Sequence, residues 1–149
     1  MALYKHIVCC LDFSDQALEA FDTALGLARD NQSRLTLLHV VHSGAPVVPG
    51  EKPRAARRLS KEELKERLGK EMQERYLERT GGYPAVVRLR RGLPSIEILD
   101  ELNEFGADLV VMGAEGLSGV GLVLLGSTAE RVSRRASCAC LIVRRPVSQ

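Results

Sequence analysis

His6-Ile7-Val8-Cys9-Cys10-Leu11 followed by Asp12-Phe13-Ser14 is the stretch that decides the fold. Six consecutive residues without strong polarity make a run of strand length. A strand apolar on both faces belongs to the middle of a parallel sheet, where helices cover each side. The run breaks at Asp12, and Ser14 is placed to cap a helix. That helix carries Ala17, Leu18, Phe21, Ala24, Leu25 and Ala28 at spacings of three and four. A strand that turns directly into an amphipathic helix is the first half of a βαβ unit.

The same alternation continues along the chain. Arg34 to Val41 is a second strand. Residues 42–58 contain Gly44, Pro46, Pro49, Gly50 and Pro53, then Arg54, Arg57 and Arg58, and read as a long exposed loop. Ser60-Lys61-Glu62-Glu63 has the spacing of a capping box and opens a helix with the stripe Leu64, Leu68, Met72 and Tyr76, stopped by Gly81-Gly82. Ala85 to Leu89 is a short strand whose Arg88, with Arg90 just beyond, marks an exposed face or an edge. Pro94 opens a third long helix, with Ile96, Leu99, Leu102 and Phe105 as its apolar positions and Gly106 as its stop. Leu109 to Met112 is the fourth strand. Ser127 caps a fourth helix running to about Ser137, and Cys138 to Val143 is the fifth strand.

The expectation is α/β: a single three-layer domain over residues 1–149, with a five-stranded parallel sheet and four helices. Ligands of such sheets collect beyond the C-terminal strand ends. Asp12, Val40 and Gly113 fall there.

Composition narrows the functional classes. Of 149 residues, 21 are basic and 19 acidic, a net charge of +2, so the chain as a whole has no field suited to nucleic acid or a membrane surface. No apolar run approaches the ~20 residues of a bilayer span, and the N-terminus lacks the apolar core of a secretory signal, so a cytoplasmic location is expected. Cys9, Cys10, Cys138 and Cys140 sit in strand runs and read as reduced, buried thiols; Cys-Cys and Cys-x-Cys lack zinc-ligand spacing. His6 and His39 read as structural strand residues. Neither a nucleophile elbow nor any other nucleophile–base motif is present, so the chain shows no catalytic set.

The segment Gly113-Ala-Glu-Gly116-Leu-Ser-Gly119-Val-Gly121-Leu-Val-Leu-Leu-Gly126-Ser127-Thr128 stands apart. Glycines admit close backbone approach to a ligand, and a hydroxyl-bearing helix start offers free N–H groups and the positive end of a dipole. It is neither a Walker A loop nor a dinucleotide fingerprint opening a helix. On chemistry alone it suits a phosphate cradle and a plain loop before a capped helix equally.

The spacing Gly113-x2-Gly116-x9-Gly126-Ser127 resembles the nucleotide-binding pattern of the universal stress protein family. Residues Tyr4 to Ser14 look like that family's first strand and its Asp-x-Ser turn. Leu37 to Val41, Ala107 to Gly113, and Ser137 to Val143 are similar to its second, fourth and last strands. The resemblance implies the strand order 3-2-1-4-5 and a homodimer paired through the last strand, Cys138 to Val143. It also implies a bound adenine nucleotide (ATP, ADP or AMP).

By position, it places Asp12 near the ribose and adenine and Val40 at the adenine ring. Met112 and Gly113 fall on the ribose side, and Gly116, Gly126, Ser127 and Thr128 at the phosphates. One departure matters: relatives often carry a basic residue or His after the first glycine, whereas Ala114 and Glu115 stand here, and no Lys or Arg occurs from Ala114 to Glu130. Either Arg54, Arg57 or Arg58 reaches the phosphates from the long loop, or the site favours AMP or ADP or needs Mg²⁺ to offset charge. The functions implied are a stress-response sensor with a further protein partner, a slow ATPase, or a dimeric scaffold with a vestigial site.

Overall fold

Five strands form one parallel sheet in the order β3-β2-β1-β4-β5. The structure is a computed structural model and describes residues 2–115 and 125–144. The strands are β1 (His6–Cys10), β2 (Arg34–His42), β3 (Val86–Gly92), β4 (Leu109–Gly113) and β5 (Ala139–Val143). The helices are α1 (Asp15–Asn31), α2 (Pro53–Arg58), α3 (Lys61–Arg75), α4 (Pro94–Phe105) and α5 (Ser127–Arg135), with a 3₁₀ turn at Leu77–Thr80. β1 pairs in parallel with β2 on one side and β4 on the other, so the strand order reverses beside β1. Alternate residues of the central strands feed two cores. Ile7, Cys9, Leu37 and Val111 meet α1 and α3, while Val8, Leu38, Val110 and Met112 meet Ile98 and Leu102 of α4 and Ala129 and Val132 of α5. This is the expected three-layer α/β sandwich.

Three local readings are corrected. Residues 42–58 are not all loop: Pro53 takes the first turn of α2, where its missing N–H costs nothing, and Ala56 and Val48 are buried in the α1–α3 core. On α4 the inward face is Ser95, Ile98, Glu101 and Leu102, and Ile96 and Phe105 are exposed. Glu101 is 1% exposed because two arginines of the edge strand neutralise it: Arg88 Nε donates to it at 3.0 Å and Arg90 Nη1 at 3.1 Å. Arg90 also binds Glu97 and Glu104, and the Arg88 guanidinium lies 4.2 Å from the Phe105 ring centre. The arginines that mark β3 as an edge are thus tied into the adjoining helix. At α5 the N-cap is Gly126, and Ser127 is the first helical residue rather than the cap.

The four thiols are free. Burial pushes the Cys9 and Cys10 thiols well above their ordinary value. His6 is satisfied structurally: its Nε2 lies 2.8 Å from Thr36 Oγ1 and its Nδ1 lies 3.1 Å from the Phe105 carbonyl.

Candidate functional site

β1, β2 and β4 all end at one side of the sheet, and the space beyond them is a cleft of about 210 Å³. Asp12, Val40, Met112, Gly113, Gly126, Ser127 and Thr128, seven residues from four separate parts of the chain, line it together. Gly116, the remaining expected member, lies outside the described residues. Cys10, Leu38, His39, Pro94, Ile98 and Ala129 complete the apolar walls. Pro94 and Ile98 were not foreseen, although Pro94 begins the helix that follows the C-terminal end of β3, and the strand-end rule covers that position too.

The β1–α1 turn is held by its own side chains. Asp12 Oδ1 accepts from the Ser14 N–H at 3.0 Å and from the Ser14 hydroxyl at 2.5 Å, and Ser14 Oγ accepts from the Ala17 N–H at 3.1 Å. Between them Phe13 adopts φ 69°, a left-handed conformation uncommon for a bulky side chain. Contacts secure it: the Phe13 ring lies 4.6 Å from that of His39 and stacks on Tyr76 at 6.1 Å. Asp12 therefore serves as a turn residue and as part of the cleft at once.

His39 Nδ1 lies 2.7 Å from the Leu11 carbonyl oxygen, which can only accept, so this nitrogen carries the proton. Burial holds the ring's pKa below its ordinary value, against the opposing pull of that hydrogen bond and of Asp12. His39 contributes a neutral ring to the cleft.

On the opposite side, the ends of the glycine segment are clamped. Ala114 N–H donates to the Val143 carbonyl at 3.0 Å, and the Ala114 carbonyl accepts from Gly126 N–H at 2.7 Å. A Cβ at Gly126 would lie 3.1 Å from that same carbonyl oxygen, which explains why a glycine stands there. Gln16 of α1 ties in Glu115, accepting from its N–H at 2.8 Å and facing its carboxylate at 3.4 Å. α5 starts at the cleft without a side-chain cap, so its first amides face the cleft with the dipole behind them.

The electrostatics are unusual for an anion site. Among the described lining residues there are two carboxylates, Asp12 and Glu115, and no Lys or Arg. Arg54, Arg57 and Arg58 sit exposed on α2, and none of them lines the cleft. What remains for an anion is backbone amide and helix dipole; what remains for a sugar or a base is carboxylate, apolar wall and the strand-end backbone.

These features define a doubly wound α/β domain with a ligand cleft at the point where its strand order reverses. The chain belongs to the universal stress protein family, whose sequence model matches residues 3–144. A universal stress protein of Methanocaldococcus jannaschii is 36% identical over 148 residues, covering 97% of this chain and 84% of the relative. Among solved structures, a universal stress protein of Lactobacillus plantarum superposes with a TM-score of 0.78 at 27% identity, covering 97% of this chain and all of that one. Another, solved in complex with cAMP, superposes with a TM-score of 0.66 at 29% identity, covering 96% of this chain and 98% of its own.

Proposed function

We propose that this chain binds an adenine nucleotide in the cleft beyond β1, β2 and β4 and works as a ligand-responsive stress-response regulator. The observation that carries the reading is the convergence of Asp12, Val40, Gly113 and the Gly126–Thr128 helix start on one cavity at the switch point. The family relative solved with cAMP supports the same ligand class. In this reading the Asp12 carboxylate accepts from ribose hydroxyls, the backbone at Val40 reads the adenine edge, and the start of α5 meets phosphate. Mg²⁺ enters on the nucleotide's own phosphates, because among the described residues no group of three or more His, Cys, Asp or Glu forms a metal cage. Ligand binding shifts the balance of conformations around the cleft and so alters the surface offered to a protein partner.

The functional unit in this reading is a homodimer. β5 is an edge strand with half-buried apolar residues, and pairing it about a twofold axis removes an aggregation-prone edge. The four free thiols suit a reducing, cytoplasmic setting.

The test is isothermal titration of nucleotide-stripped protein with ATP, ADP, AMP and cAMP, alongside sedimentation. Binding of at least one nucleotide, lost in Asp12→Ala, is expected, with a dimer at micromolar concentration. Failure of all four ligands at millimolar concentration sinks the reading.

A further inference from the structure

Glu115 is the one charged residue that the sequence places between Gly113 and Thr128. It is half-buried and lines the cleft together with Gly126, Ser127 and Thr128. Its orientation is set from α1. Gln16 Oε1 accepts from the Glu115 N–H at 2.8 Å, and Gln16 Nε2 donates to Glu115 Oε2 at 3.4 Å. A side-chain amide has one accepting and one donating end. With its oxygen engaged by the backbone N–H, its NH₂ group is left to face the carboxylate.

Nothing on the page offsets this charge. Asp12, the second carboxylate of the cleft, adds to it, and no Lys or Arg stands among the described lining residues. Residues 116–124 contribute no basic side chain to the sequence either. The uncapped start of α5 attracts one anionic group at short range, because a helix dipole acts over little more than its first turn. Repulsion by a carboxylate reaches further and grows with each charge that the ligand adds. A compact cavity of about 210 Å³ spans about one screening length, ~8 Å at physiological ionic strength, so salt shields the ligand from Glu115 only in part.

We propose that Glu115, held by Gln16 as its positioning residue, is a specificity-determining residue that limits the charge of the ligand. The cleft then takes an adenine nucleotide with a single phosphate group in preference to one with a phosphate chain. A nucleoside monophosphate carries about two negative charges and a free triphosphate about four. The amides at the start of α5 serve the first phosphate of either ligand, and Glu115 opposes whatever follows it. This inference rests on the reading of the cleft as an adenine-nucleotide site.

The experiment is titration of wild type, Glu115→Gln and Glu66→Gln with ATP, AMP and adenosine in Mg²⁺-free buffer, at low and at high salt. Glu115→Gln keeps an oxygen to accept from Gln16 and removes only the charge. Glu66 is exposed on α3 and does not line the cleft, and its variant carries the same change in net charge. Wild type is expected to bind AMP more tightly than ATP. Glu115→Gln should strengthen ATP by about tenfold and AMP by about threefold, with adenosine unchanged and Glu66→Gln without effect on any ligand. Added salt should narrow the gap between AMP and ATP in wild type and do so less in Glu115→Gln. Equal changes for all three ligands, or no gain for ATP, overturn the charge limit while leaving the cleft as a nucleotide site. If none of the three ligands binds either wild type or Glu115→Gln, the cleft reading itself falls, and the inference falls with it.

Discussion

Three helices begin at the cleft, and α1 and α5 begin differently. α1 opens with its polar groups already engaged: Asp12 holds Ser14, and Ser14 holds the Ala17 amide. α5 opens on Gly126, with no side-chain hydrogen bond capping it. The dipoles of both point towards the same space, yet of these two starts only that of α5 lacks a side-chain cap. A capped helix start has its first amides satisfied from within, whereas an uncapped one beside a cavity leaves them for water or a ligand. Gln16 links the two, because it lies in the first turn of α1 and holds Glu115 on the segment leading to α5.

The substitution expected to break this comparison most severely is Gly113→Ala. The new Cβ would lie 3.1 Å from Gln16 Cβ and 3.4 Å from the Glu115 carbonyl oxygen. α1 must shift or Gln16 must release Glu115, so both helix starts lose their registration. Overpacking of this kind costs about 1–3 kcal/mol, and a thermal melt should drop by several degrees. Unchanged stability would show that the link through Gln16 is slack.

The next pair sharpens the contrast directly. Ser14→Ala removes a working N-cap and should cost about 1 kcal/mol in chemical denaturation. Ser127→Ala, at the first helical position instead of the cap, should change stability by less than about 0.5 kcal/mol while reducing nucleotide affinity severalfold in titration. If the two substitutions destabilise equally, the distinction between a closed and an open helix start is lost.

That difference of one position shows what the sequence conceals. The five apolar runs, their parallel order and the caps at Ser14 and Ser60 were legible because each rests on local chemistry: apolar runs, spacing, a hydroxyl before a helix. The start of α5 was not, because a glycine and a serine in succession both make acceptable caps, and the Ala114–Gly126 hydrogen bond that selects the glycine spans twelve residues. The inward face of α4 was misjudged for a related reason. Periodicity counts apolar residues, and Glu101 is buried only because Arg88 and Arg90 reach it from β3. The helix Pro53–Arg58 hid behind the prolines and glycines around it, and only the burial of Ala56 gives it a fixed place. In the cleft, Asp12, Val40, Gly113 and Gly126 to Thr128 come together because strand ends and a helix start converge at one side of the sheet, whereas Ile98 joins them from the second turn of α4, a position that no strand-end rule marks.

The smallest effect tests the closed side by pH. His39 is 7% exposed, and its Nδ1–H meets the carbonyl of Leu11, the residue just before Asp12. Burial lowers its pKa in the folded state from an ordinary value of 6.5. The unfolded chain then binds a proton more readily than the folded one, so the stability contributed by the neutral ring is complete above pH 6.5 and is lost as the pH falls below it towards the folded value. Denaturation midpoints should decline between neutral and mildly acidic pH, and His39→Gln, which keeps a donor but does not titrate, should flatten the decline. Because protonation places a buried charge beside Leu11 and Asp12, nucleotide affinity should change over the same pH range in wild type and less in the variant. An acid change of affinity that persists unchanged in His39→Gln would move its origin away from the β1–α1 turn, to the ligand's own phosphates.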